Sequence, residues 1–191
     1  PINAILLNML IPELRTYYAS RGYRYLEYKC LPNIYKDYYD ESDIFSLFGA
    51  NCDVKAYGLS STLSLQEPPI PYSSRKRRNL RKAISAHMAI DTLQPESTDF
   101  EKFYEILFAN LKERHSVTPV HSLNELRELH RLFPNEIKTI ACKKEDLVVS
   151  GVVLFMCKKV AHFQYFANTE YGRQVGSLDM LIDHCIHTAK K

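Results

Sequence analysis

The sequence has no tryptophan, no CxxC pair and no apolar run near the ~20 residues a membrane-spanning helix needs. No membrane span is therefore expected. The five cysteines are odd in number and sit mostly in apolar stretches, which fits reduced thiols in a cytoplasmic protein. Ile2 to Ile11 leads into Pro12, Glu13 and Arg15 rather than a small-residue cleavage site, so no signal peptide is expected. Asp183, His184 and His187 share a helical stretch without a second cluster of ligands, and no metal is expected. Charge of one sign is also scarce: a net +3 is too small for a wholly basic nucleic-acid binder.

What the chain does have is a local concentration of cations, six in the ten residues Ser73 to Lys82. Arg77 with Arg81, and Arg78 with Lys82, stand at i, i+4 and repel one another on a helix. The run reads as a solvated helix face, as an anion-binding patch led by Arg77, Arg78 and Arg81, or as a localisation-like signal.

Apolar spacing predicts a helix over residues 3–20, and polar-apolar alternation predicts strands at Tyr23 to Leu31 and Val54 to Leu65, with a short helix between them at Ser42 to Phe48. Three prolines in Gln66 to Tyr72 mark the main boundary. Beyond it a basic helix capped by Ser74 runs to Ala86, and a short strand covers Met88 to Leu93. An amphipathic helix follows from Asp99 to Arg114, then a helix from Ser122 to Leu132 with the capping-box pair Ser122 and Glu125. Ile137 to Cys142, Leu147 to Cys157 and Val160 to Ala167 read as strands, the second an apolar run suited to the middle of a sheet. A helix from Arg173 carries Leu178, Leu181, Ile182 and Cys185 on one face.

Between the last strand and that helix lies Tyr171-Gly172-Arg173-Gln174-Val175-Gly176-Ser177. A glycine-containing loop entering a helix N-terminus brings free backbone N–H groups and the positive end of the helix dipole together, a site for a phosphate. Arg173 adds a charge and Ser177 a hydroxyl. The segment resembles the acyl-CoA pyrophosphate loop of the GNAT superfamily, Q/R-x-x-G-x-G/A: Arg173 and Gly176 match, and Leu178 departs from the small residue of the pattern. Ser73 to Ala83, His121-Ser122-Leu123, Ser150-Gly151-Val152 and His162 to Tyr165 with Leu178-Asp179 further resemble the FemAB-like branch, which carries two GNAT halves in tandem.

The resemblance implies an α+β fold, a mixed and largely antiparallel sheet flanked by helices. Residues 73–191 would form a second GNAT half whose final strands are missing, and residues 1–72 the closing part of a first. It implies an N-acyltransferase moving an acyl or aminoacyl group from acyl-CoA or aminoacyl-tRNA to a small-molecule or peptidic amine. Gly172, Arg173, Gln174, Gly176 and Ser177 would hold the donor, and the strands at Leu147 to Cys157 and Val160 to Ala167 would splay apart to admit it. Strict alternation puts His162, Gln164 and Phe166 on one face and Phe163 and Tyr165 on the other. His162 is the candidate base, Tyr165 the candidate proton donor to the leaving group, and Gln164 a substrate contact. His115 and His121 flank a loop that could line the acceptor site. The competing functional reading is a non-catalytic GNAT-like module that binds an anionic partner through the Arg75 to Lys82 helix; a tRNA-dependent peptide-bridge enzyme shares the fold.

Overall fold

The computed structural model describes residues 3–68 and 71–189. The chain divides into two compact units, Pro1–Thr62 and Leu63–Lys191.

In the first unit, helix α1 (Ala4–Ala19) begins where the Asn3 side chain accepts the Leu6 N–H at 3.0 Å, and helix α2 (Ser42–Gly49) packs against it. The Ser46 hydroxyl donates to the Ala4 carbonyl at 3.3 Å, and Arg15 donates to the Ala50 carbonyl at 3.0 Å. The two strands expected at Tyr23 to Leu31 and Val54 to Leu65 do not form a ladder. Strand propensity becomes a strand only when a neighbour supplies the hydrogen bonds. Here the two segments are joined side chain to side chain, by Lys55 and Glu27.

The second unit holds helix α3 (Ser74–Ser85), strand β1 (Ala89–Thr92), helices α4 (Thr98–His115) and α5 (Leu123–Leu132), strands β2 (Ile137–Lys144), β3 (Leu147–Met156) and β4 (Ala161–Asn168), and helices α6 (Glu170–Val175) and α7 (Ser177–Ala189). The cap of α3 falls one residue before the expected one: the Ser73 side chain accepts the Lys76 N–H at 3.2 Å. Both halves of the Ser122–Glu125 capping box form.

The four strands make one antiparallel sheet in the order β1-β2-β3-β4, so β3, the apolar run, is paired on both sides. One face of the sheet meets α4 and α5 through Phe100, Phe103, Leu107 and Leu126, each almost wholly buried, and through Val153, Tyr165 and Ala167. The other face meets α7 through Val152, Leu154, Leu181 and Cys185. This is an α+β fold, a sheet flanked by helices. Gly151 sits where α4 crosses β3, and an added Cβ would lie 2.3 Å from the Phe103 ring. Only glycine lets that helix sit so close to the strand.

Candidate functional site

The expected splaying of β3 from β4 does not occur. The two strands pair from Ser150 opposite Asn168 to Met156 opposite Ala161. The ladder has one irregularity among the described residues: Val153 faces Tyr165 while Leu154 faces Phe163, leaving Gln164 as an extra residue on β4. That bulge also overturns the expected alternation. Residues directly opposite on a ladder share a face, so Tyr165 lies with Val153, and His162, opposite Phe155, lies on the same face. Phe163 and Phe166, opposite Leu154 and Val152, share the other. An extra residue shifts the period-two pattern by one, which places both candidate catalytic side chains on the α4 and α5 side.

Beside the bulge, β4, the end of α4 and the start of α6 enclose a cleft of about 270 Å³. Gln164 and Tyr165 line it from the strand, His115 and Arg114 from α4, and Arg173 from α6. The structure thus brings together four residues singled out from the sequence: His115, Gln164, Tyr165 and Arg173. The left-handed Ser116 ends α4 here, and Lys112 and Arg114 set positive charge on its last turn, where the helix dipole favours it.

His121 joins the group through Tyr165. The His121 backbone N–H donates to the Tyr165 hydroxyl at 3.3 Å, and the same hydroxyl lies 2.8 Å from His121 Nδ1. The hydroxyl carries two lone pairs and one proton, so it can accept from Nδ1–H alongside the amide or donate its own proton to Nδ1, and the contact serves either imidazole tautomer. The Tyr104 hydroxyl donates to the His121 carbonyl at 3.1 Å and holds the loop in place. Burial, and then the neighbouring Tyr165, push the Tyr104 phenol above its ordinary value. Asn110 accepts the Asn168 N–H at 3.1 Å and ties α4 to the end of β4. Asn110, Arg114 and Asn168 escaped the sequence reading. The available signal was Asn110 and Arg114 continuing the Leu107 and Leu111 stripe of α4, polar residues on an otherwise core-facing row.

The remaining candidates are placed elsewhere. His162 does not line the cleft; it lies across from Phe155 at the far end of β4. The segment read as an open phosphate loop is instead helix α6, capped by Thr169, whose hydroxyl accepts the Gly172 N–H at 3.0 Å. Gly172 is buried, and an added Cβ would lie 2.0 Å from Asn168 Oδ1 and 2.7 Å from the Val149 carbonyl. Ser177 is fully buried and donates to Asn168 Oδ1 at 3.2 Å. Gly176, at φ +77°, closes α6 and lies against Asn79 of α3, where an added Cβ would meet Asn79 Cβ at 2.7 Å. Arg173 donates to the Asn168 carbonyl at 2.9 Å and pairs with Glu170 at 2.7 Å. Gln174 is exposed and faces α3. Arg78 and Arg81 line a separate cleft between α3 and α6, and Arg77 donates to the Tyr72 carbonyl just before its own helix at 2.5 Å.

Among curated proteins none matches the chain. The model of the family described as acetyltransferase (GNAT) domain matches residues 73–191, the stretch that contains all four strands, the bulge and the cleft. A sheet of this topology, flanked by helices and matched over more than half its length, makes this chain a member of the GNAT acyltransferase family.

Proposed function

We propose that the protein transfers an acyl or aminoacyl group to an amine in the cleft beside the β4 bulge. The observation that carries the proposal is the bulge itself: Gln164 is extruded from the ladder beside a hydroxyl–imidazole pair, inside a cleft rimmed by Arg114 and Arg173. An extruded strand residue frees backbone polar groups from pairing, and a free N–H can stabilise the oxygen of an acyl carbonyl as it becomes negative. GNAT domains generally take the acyl group from acyl-CoA; aminoacyl-tRNA is the alternative donor within the FemAB-like branch, to which we assign this chain on the sequence order from Ser73 to Asp179. On the same assignment the first unit is the closing part of another GNAT half.

In this mechanism the amine nitrogen attacks the acyl carbonyl, forming the C–N bond. The C–S bond of a thioester, or the C–O bond of an aminoacyl ester, breaks. With the His121 proton on Nδ1, that N–H donates to the Tyr165 oxygen and the phenol proton goes to the departing sulfur or oxygen; the phenolate then takes the Nδ1 proton as Nε2 picks one up from solvent. His115, in the cleft, accepts the proton lost by the amine, a role the cleft geometry favours for it over His162.

Calorimetry and transfer assays on the full chain, with acetyl-CoA, longer acyl-CoAs and aminoacyl-tRNA, test the proposal. Binding of one donor and transfer to an amine acceptor are expected. A folded chain that binds none of them contradicts it.

A further inference from the structure

A second concavity of this unit is larger than the cleft beside β4. It lies between α3 and α6 and measures about 930 Å³. Arg75, Arg78, Arg81 and Lys82 line it together with the hydroxyls of Ser74 and Ser85. Helix α3 carries no acidic residue, and among the described residues none of these four cations has an ion-pair partner. Three other arginines of the same unit do find one: Arg127 with Glu101, Arg131 with Glu128, and Arg173 with Glu170. A row of uncompensated like charges one turn apart weakens its own helix.

The row is nevertheless held in place. Ala83 is fully buried under α3, Asn79 donates to Asp179 on α7 at 2.6 Å, and Tyr72, just before the helix, donates to Asp183 at 2.5 Å. Gly176 allows the close approach of the α6–α7 junction to Asn79. Both glycine contact and side-chain ties therefore serve to fix α3, and with it the cations. From Arg75 to Lys82 the row spans about 10 Å of helix. A single phosphate engages one end of such a row; a ligand with two or more phosphates engages its length.

We propose that the α3–α6 cleft is a binding site for a ligand bearing two or more phosphates and, on the acyltransfer reading above, that it receives the phosphate end of the donor. The link between the two clefts is α6: Arg173 lines the cleft beside β4, and the next residues, Gln174 and Val175, line this one. The buried Gly172 and Ser177 and the acidic Asp179 at the start of α7 leave the α6–α7 junction poorly suited to the same anion. The cations of α3 supply what that junction does not.

The test titrates the full chain with CoA, inorganic pyrophosphate and a short single-stranded RNA, at several salt concentrations. Wild type is compared with Arg75→Ala/Arg78→Ala/Lys82→Ala, with Arg78→Glu, and with Arg131→Ala as a control on α5. All these side chains are exposed, and thermal unfolding verifies that each variant stays folded. CoA and pyrophosphate should bind wild type and the control alike. The triple variant and Arg78→Glu should bind them about tenfold more weakly or worse, with a shallower salt dependence. Unchanged CoA and pyrophosphate affinity in both cleft variants overturns the proposal. RNA binding without either small ligand overturns it in favour of a nucleic-acid surface. Pyrophosphate binding that depends on the row, in a chain that transfers no acyl group, supports the phosphate site while sinking the transferase reading.

Discussion

The Tyr165 hydroxyl stands 2.8 Å from Nδ1 of His121 and accepts the His121 backbone N–H at 3.3 Å, so one residue of the loop after α4 holds a strand hydroxyl at two points. Tyr165 is about nine-tenths buried and packed into the main core, whereas His121 is only half-buried. A proton on the phenol can thus exchange with solvent through the imidazole without opening the core.

Tyr165→Phe keeps the ring and removes the proton. It should lower kcat for acyl transfer by about a hundredfold while leaving the donor KM close to wild type. His121→Ala should lower kcat less, since water can replace the relay. Steady-state kinetics on the two variants checks this, and an unchanged kcat in Tyr165→Phe removes the residue from the chemistry.

Gly172→Ala separates packing from phosphate binding. A cradle glycine would lose donor affinity at little expense in stability. The clash with Asn168 Oδ1 at 2.0 Å and with the Val149 carbonyl predicts instead a loss of about 2 kcal/mol or more in chemical denaturation. Gly151→Ala, 2.3 Å from the Phe103 ring, should destabilise by a similar amount.

His130 is buried, lies edge-on to Phe100 and shares a 2.8 Å hydrogen bond with Thr139. Burial holds its pKa below the ordinary 6.5. The unfolded chain then binds this proton more readily than the folded one. The stability contributed by neutral His130 is present above pH 6.5 and is lost as pH falls from there through the lower folded value. Urea denaturation at stepped pH should show that decline, and His130→Gln should flatten it.

Ser122 anchors the capping box of α5. Ser122→Ala should destabilise the fold by about 1 kcal/mol. Because His121 precedes it, a loss of activity beyond that shared by Glu125→Ala would mark an additional effect on the Tyr165 relay.

The elements with strong local signals were legible in the sequence. Phe100, Phe103 and Leu107 recur at helical spacing and are buried as a row, Ser122 and Glu125 form the box their spacing implies, and the apolar run of β3 is central. The bulge was not legible, because an extra residue at Gln164 is a property of the β3–β4 register and leaves no mark on β4 alone. It moved His162 and Tyr165 to one face and drew Tyr165 to His121. The packing role of the Arg173 to Ser177 segment was hidden for a related reason: glycines that admit a phosphate and glycines that admit a neighbouring helix look alike until the neighbour, here Asn79, is in place. Tyr23 to Leu31 alternates as a strand should, yet no described neighbour pairs with it.

Amide hydrogen exchange of the full chain, with and without saturating CoA, tests the central claim most directly. If the acyl end of the donor enters the cleft beside the bulge, amides of Gln164 to Asn168 and of the end of α4 gain protection when CoA is added. Protection confined to other segments, with β4 exchanging as in the free chain, would contradict it.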